Sequence, residues 1–242
     1  MVVRSPAISA RARIDLAVAS VLGRAPIGRV RQLGKRRAEL AYWRARRDLE
    51  GGLEGYHYER FFTEYFGLSR AFYDGKRVLD IGCGPRGTLE WADEAEARVG
   101  LDPLANEYRR LGAAAHRMAY VAGSAERMPF AEGSFDVMAS FNSLDHVDSL
   151  DQAIGEITRV ARPGALLLLL TDVGHDPTFT EPQTFGWDIV ERFAPAWAPE
   201  WSKRIAKTGA GMMEDLDADL RPPEGATSGY LAAVLRLARP RT

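Results

Sequence analysis

The chain has 242 residues, 46% of them hydrophobic and 27% charged, with a formal net charge of -1. That length gives one large domain, or an ordinary domain with an appendage, and the composition excludes a disordered or fibrous chain. Near-neutrality argues against a general nucleic-acid binder, yet it hides an asymmetry: residues 1–50 hold 12 Arg/Lys and 4 Asp/Glu (+8), residues 51–242 hold 20 and 29 (-9).

The single cysteine, Cys83, excludes an internal disulfide and a multi-cysteine zinc site. It fits a reducing compartment, so a cytoplasmic protein is expected. No apolar run reaches the length of a membrane span. Oligomeric state leaves no mark in the sequence.

Residues 1–50 read as a basic helical extension in front of a domain covering 51–242. Ile14, Ala17, Val18, Val21 and Leu22 form one apolar helical stripe, with Ser9 as N-cap and Gly23 as stop. A second basic stretch, 29–47, carries Leu33, Leu40 and Trp43 in a poorer pattern. Such an arm suits a helical cap packed on the body, or peripheral contact with an anionic membrane; its Arg-rich composition also resembles a transit peptide. After the glycines at 51, 52 and 55, Tyr58, Phe61, Phe62, Tyr65 and Phe66 predict an aromatic helix ended by Gly67. It is read as core, with Tyr58 or His57 able to overhang a pocket.

From residue 77 strands and helices alternate. Strands are predicted at 78–81, 98–101, 120–122, 135–141 and 165–171, and a late one at 230–237. Helices are predicted at 89–95, 104–111, 150–161 and 187–193. Alternation of this kind implies right-handed crossovers and a mostly parallel sheet with both faces covered.

In such a sheet ligands bind beyond the carboxyl ends of the strands. After the first strand comes Asp80-Ile81-Gly82-Cys83-Gly84-Pro85-Arg86-Gly87, whose glycines allow close approach to the backbone. Asp102 follows the second strand, where an acid can accept two hydrogen bonds from ribose hydroxyls. Together they describe a site for an adenosine-containing cofactor. The glycines at 82, 84 and 87 also match the dinucleotide fingerprint, so an NAD(P)-dependent oxidoreductase is an alternative. Asp80 opposes it, because an acid beside the turn repels a pyrophosphate and suits a cationic ligand.

Val78-Leu79-Asp80-Ile81-Gly82-Cys83-Gly84, followed by Gly100-Leu101-Asp102-Pro103, resembles the class I S-adenosylmethionine-dependent methyltransferases, in their type 11, ubiquinone-biosynthesis-like branch. The stretches Gly123-Ser124-Ala125-Glu126, Ser134-Phe135-Asp136-Val137 and Glu156-Ile157-Thr158-Arg159 agree in order and spacing. The resemblance implies a three-layer Rossmann-like α/β fold with a mostly parallel seven-stranded sheet and helices on both faces, and S-adenosyl-L-methionine as cofactor. It implies that Asp80, Gly82, Cys83 and Gly84 surround the methionine part and Asp102 holds the ribose. Pro103 would shape the adenine side, Ser124, Ala125 and Glu126 its edge, and Phe141 and Asn142 would lie beside the sulfonium. Two departures stand out: Ser124 replaces the acid that usually meets the adenine amino group, and Arg86 occupies the usual position of the third glycine.

The expected reaction is methyl transfer to an oxygen or nitrogen of a small-molecule, glycan or lipid-linked acceptor. For a hydroxyl acceptor, His146 is the candidate general base and Asp145 its partner, with His175 and Asp172 behind them. A divalent-cation site would need converging ligands; Asp145, Asp148 and Asp172 lack diagnostic spacing, and no metal is expected. Residues 175–229 should form the acceptor lid, with Trp197 and Trp201 exposed to substrate or partner. A catalytically degenerate fold acting as an adaptor is the non-enzymatic alternative.

Overall fold

The computed structural model describes residues 28–55 and 58–239. The apolar stripe at 14–22 and His57 lie outside them. Helix α1 (Gly28–Glu50) precedes a short aromatic helix α2 (Glu59–Phe62), and the sheet follows: β1 (Arg77–Ile81), β2 (Ala97–Asp102), β3 (Ala119–Ala122), β4 (Phe135–Phe141), β5 (Ala161–Val173), β6 (Trp197–Ile205) and β7 (Gly229–Leu237). The strand order is β3-β2-β1-β4-β5-β7-β6. Only β7 runs antiparallel to its neighbours, β5 and β6. The order reverses between β1 and β4, which makes their carboxyl ends the expected ligand crevice.

β5 explains why its sequence reads as five consecutive leucines. Leu166, Leu168 and Leu170 enter the core on one face, with Phe62, Trp91 and Tyr108; Leu167 and Leu169 enter the other, with Ile157, Phe193 and Trp197. A strand covered on both sides has no polar side to alternate with. Helix α4 (Leu150–Val160) turns Leu150, Ala153, Ile157 and Val160 inward, and its N-cap Ser149 accepts the Gln152 amide at 3.4 Å. Helix α3 (Ala105–Leu111) follows β2 as predicted, and α5 (Met212–Ala218) lies between β6 and β7.

Four expectations need correction. Residues 89–95 form turns, not a helix. Their Leu89 and Trp91 are still buried, so the apolar spacing reported burial rather than helicity. The aromatic helix breaks at Thr63, whose backbone leaves the helical region and whose Oγ1 bonds back to the Glu59 carbonyl at 2.8 Å; Glu64–Phe66 continues as a 3₁₀ turn. Only the end of the segment predicted as helix 187–193, Ile189–Phe193, is helical, and it is 3₁₀. Within the expected lid, Trp197–Ile205 is instead the edge strand β6, and Trp197 is buried with its Nε1 donating to Thr158 Oγ1 at 2.9 Å. Trp201 alone of that pair is exposed, at 37%.

The basic stretch 29–47 is part of one continuous 23-residue helix, α1. Its Ala38 and Ala41 are buried, and Lys35 and Arg36 pair with Asp148 and Glu107 on the body at 2.7 and 2.8 Å. Among the described residues no helix is long and apolar enough to cross a membrane.

Candidate functional site

The glycine turn after β1 is a backbone shelf. Gly82, Gly84 and Gly87 all have positive φ (73°, 56° and 69°), which L side chains rarely adopt. At Gly82 a Cβ would also lie 2.3 Å from Ser143 Cβ, because Ser143 sits under the turn and donates to the Ile81 carbonyl at 2.6 Å. The amides of this turn are already engaged. Gly82 N donates to the Leu101 carbonyl at 2.8 Å, Gly84 N to Asp102 Oδ2 at 3.3 Å and Gly87 N to the Tyr120 hydroxyl at 2.9 Å. With no helix following and its amides committed, the turn lacks the anion cradle that a dinucleotide fingerprint supplies. The oxidoreductase alternative loses its structural basis there.

Two buried acids flank the shelf. Asp80 is 3% exposed and Asp102 7%. Burial pushes the Asp80 carboxyl up to about 7, against the Thr88 hydroxyl that donates to its Oδ2. Burial raises Asp102 to about 6, against the amides of Leu104 (2.8 Å on Oδ1) and Gly84. Each carboxylate oxygen has a second lone pair, so Asp102 keeps capacity for two hydroxyl donors. Cys83 is buried between these acids, its thiol pushed up by burial and both charges, and Gly100 on β2 is small because a Cβ there would meet Cys83 Sγ at 2.5 Å.

The adenine-side candidates form a tight turn: Arg127 N donates to the Ser124 carbonyl at 3.2 Å, with Ala125 half-buried between. Glu126 Oε1 accepts the Asp148 amide at 2.7 Å, tying this turn to the loop after β4. Pro103 is exposed at the end of β2. Phe141 stacks on Phe66, centroids 5.9 Å apart at 13°. Asn142 is left-handed at φ 48°, held there by its amide on the Leu170 carbonyl (2.7 Å) and by its Oδ1 accepting the Asp172 amide (3.0 Å).

Helix α1 lies across these strand ends. Lys35 Nζ donates to the His146 carbonyl at 3.2 Å, Trp43 lies 3.1 Å from where a Gly84 Cβ would be, and Glu50 grips buried Arg86 through both carboxylate oxygens at 2.8 and 2.9 Å. Arg86, the departure in the glycine turn, thus has its charge answered by α1. Burial pushes the Tyr58 phenol up to about 12, with Arg86 and Asp80 near enough to act on its charge. Sequence reasoning missed Glu50 and gave Trp43 no role here, because a helix outside the motifs carries no signal of what it covers.

Asp145 and His146 sit in a 3₁₀ turn (Leu144–His146) just past β4. His146 Nε2 is 3.9 Å from Asp145 Oδ1 and 3.9 Å from Glu181 Oε1, while His175 Nε2 is 4.0 Å from Asp145 Oδ2. None of these is a hydrogen bond. Asp145 is 1% exposed, and burial raises its carboxyl despite the two imidazoles. Asp148 turns away to Lys35 and Asp172 to Lys207, so the second-rank acids do not join this cluster. Glu181 takes their place. Its loop is laced to the turn by Gln183, whose amide donates to the Asp145 carbonyl at 3.1 Å.

A family model described as a methyltransferase domain matches residues 79–169. The ubiquinone biosynthesis O-methyltransferase of Hahella chejuensis is 32% identical over 179 residues, covering 69% of this chain and 73% of that protein. The malonyl-[acyl-carrier protein] O-methyltransferase of Enterobacter lignolyticus is 39% identical over 99 residues, 39% of this chain and 38% of that protein. The chain spans about two fifths of the length of the first curated relatives it matches. Among solved structures, the [4+2]-cyclase SpnF aligns with a TM-score of 0.64 at 19% identity, over 85% of this chain and 95% of that one; it shares the fold.

Proposed function

Since the chain belongs to the S-adenosylmethionine-dependent methyltransferases, we propose that it methylates an oxygen or nitrogen of a small-molecule, glycan or lipid-linked acceptor. The observation that carries this reading is the placement of Asp80 and Asp102 on either side of the glycine shelf, with Asp145 and His146 on the neighbouring strand end. S-adenosylmethionine, when bound, supplies a methyl group on an already activated sulfonium, so positioning of the acceptor supplies much of the rate.

The donor set fits that cofactor. Asp102 accepts the ribose hydroxyls, while the Asp80 and Cys83 segment of the shelf takes the methionine end, where a cationic amino group favours the ionised form of Asp80. Pro103, Ser124, Ala125 and Glu126 border the adenine. Phe141 and Asn142 fix the wall beside the transferred methyl. For a hydroxyl acceptor, His146 would take the proton that the hydroxyl releases on methylation, with Asp145 steadying the charged imidazole.

Calorimetry tests the cofactor assignment. Asp102→Ala is expected to weaken S-adenosylmethionine binding by at least about tenfold, roughly the 1.4 kcal/mol of one lost charge-assisted hydrogen bond; unchanged affinity overturns the ribose role. His146→Ala is expected to lower turnover with affinity for the cofactor unchanged. Incubation with labelled S-adenosylmethionine and a cell extract identifies the acceptor; cofactor binding with no labelled product favours the adaptor alternative.

The location is proposed as cytoplasmic and peripheral to a membrane, through the basic residues 1–50. The +8 charge of that segment and its predicted amphipathic stripe support this, and they suit a lipid-linked acceptor.

A further inference from the structure

The cluster beyond β4 has the wrong spacing for hydrogen bonds and the right one for an ion. A nitrogen and a carboxylate oxygen that bond directly sit about 2.7–2.9 Å apart. Here His146 Nε2 stands 3.9 Å from both Asp145 Oδ1 and Glu181 Oε1, and one donor atom from each of the three side chains falls within 4.8 Å of the others. Two atoms each about 2.1 Å from a shared cation lie roughly 3.4–4.2 Å apart, so the two 3.9 Å pairs already fit and the remaining pair, within 4.8 Å, has to close by at most about 0.6 Å as the ion binds.

Two buried atoms point the same way. Asp145 Oδ1 has no hydrogen-bond partner although its residue is 1% exposed, and a lone carboxylate oxygen in that setting is costly. His175 Nε2 is likewise buried without a partner, 4.0 Å from the other Asp145 oxygen. Its Nδ1 faces the Asp176 carbonyl at 3.0 Å, which assigns the proton to Nδ1 and leaves Nε2 as a bare lone pair. Metal-binding histidines commonly show this arrangement, one ring nitrogen donating to a carbonyl and the other free.

We infer that Asp145, His146 and Glu181, flanked by His175, bind one divalent first-row transition ion of the zinc class. Imidazole nitrogens select such ions over magnesium or calcium, which prefer all-oxygen shells. Asp145 forms the floor, and the rim is open: the side chains of His146 and Glu181 are 36% and 35% exposed. An open coordination position there would take the acceptor's oxygen and lower its proton affinity. The inference rests on the methyltransferase reading only for this last role. With the ion bound, His146 serves as ligand; with it removed, the imidazole returns to the base role.

The test uses untagged full-length protein, stripped with a chelator and titrated calorimetrically with zinc(II) and, separately, magnesium(II). One equivalent of zinc should bind, and magnesium at least about a hundredfold more weakly. Asp145→Asn and Glu181→Gln should each weaken zinc by about tenfold or more. Asp148→Asn, at a neighbouring acid held by Lys35, should leave zinc affinity unchanged. Glu181 lies in a loop, so its variant keeps the test decisive where Asp145→Asn misfolds. The cobalt(II) form of the wild type should show visible d–d bands that Glu181→Gln shifts. Zinc affinity equal in wild type, Asp145→Asn and Glu181→Gln overturns the site. S-adenosylmethionine bound normally while zinc is not bound overturns it alone; zinc bound without the cofactor overturns the methyltransferase reading and leaves the site standing.

Discussion

At the scale of single residues, Asp80 sets stability against function. An unfolded aspartate titrates near 3.8, and burial moves this one to about 7. The folded state therefore holds the proton more tightly, so the associated stability is present below about pH 4 and is lost as pH rises through 7. At pH 8 the ionised, buried carboxylate costs on the order of a few kcal/mol, at 1.36 kcal/mol per unit. Asp80→Asn keeps an oxygen for the Thr88 hydroxyl and removes the charge. Its Tm is expected to exceed wild type by about 5 °C or more at pH 8, since 1 kcal/mol is worth about 2–4 °C in a chain of this size. The gain should shrink at pH 5, and S-adenosylmethionine should bind more weakly at both. Equal gains at the two pH values would refute the burial account. Asn142 is a smaller case: at φ 48° it uses its side chain to hold the Asp172 amide, and Asn142→Ala should cost about 1–2 kcal/mol in denaturant unfolding.

At the scale of elements, what was legible depended on how much of the meaning was local. The leucine run of β5 and the spacing of α4 carried their own period, and Asp80, Asp102 and Asp145 stood at strand ends that the alternation located. The helix expected at 89–95 failed because Leu89 and Trp91 are buried from turns, which periodicity cannot separate from a helix. Strand β6 was hidden by Pro199 and by Glu200, Lys203 and Arg204, residues an edge strand tolerates. Glu181 reaches His146 across 35 positions of chain, a pairing with no sequence signal. The largest surprise is α1, which reaches the ends of β4 and β1 through Lys35 on the His146 carbonyl and Trp43 against Gly84, beside an Asp102 that is only 7% exposed. We propose that a cofactor reaching Asp102 displaces that helix, and binding that waits on a conformational step is slow and saturable. Stopped-flow tryptophan fluorescence should thus give association rates that plateau with S-adenosylmethionine concentration. Glu50→Gln, which weakens the clamp on Arg86, should raise the plateau a few-fold. A linear dependence with no plateau would show that α1 does not gate the site.

On the scale of the whole molecule, the +8 segment and the -9 remainder meet partly within the fold. Lys35 pairs with Asp148 and Arg36 with Glu107, while Arg46 and Arg47 are paired within α1, to Glu50 and Asp48. Surface pairs of this kind contribute about 0–1 kcal/mol each, less than the burial of Ala38, Ala41 and part of Trp43 against the body. The docking of α1 should therefore change little with salt. Membrane attraction is a different matter, because each arginine near an anionic surface is worth about 1 kcal/mol and that term is screened. Residues 1–27 carry Arg4, Arg11, Arg13 and Arg24 against Asp15, a net +3 of the segment's +8. Removing residues 1–27 should abolish sedimentation with phosphatidylserine vesicles while leaving the Tm and S-adenosylmethionine affinity unchanged. For the full chain, raising ionic strength from about 0.1 M, where the Debye length is about 10 Å, toward 1 M should release it from the same vesicles. Vesicle binding that survives the truncation would move the membrane contact onto α1, where Leu33 is exposed, or onto the body, where exposed Trp201 and Leu220 offer apolar surface.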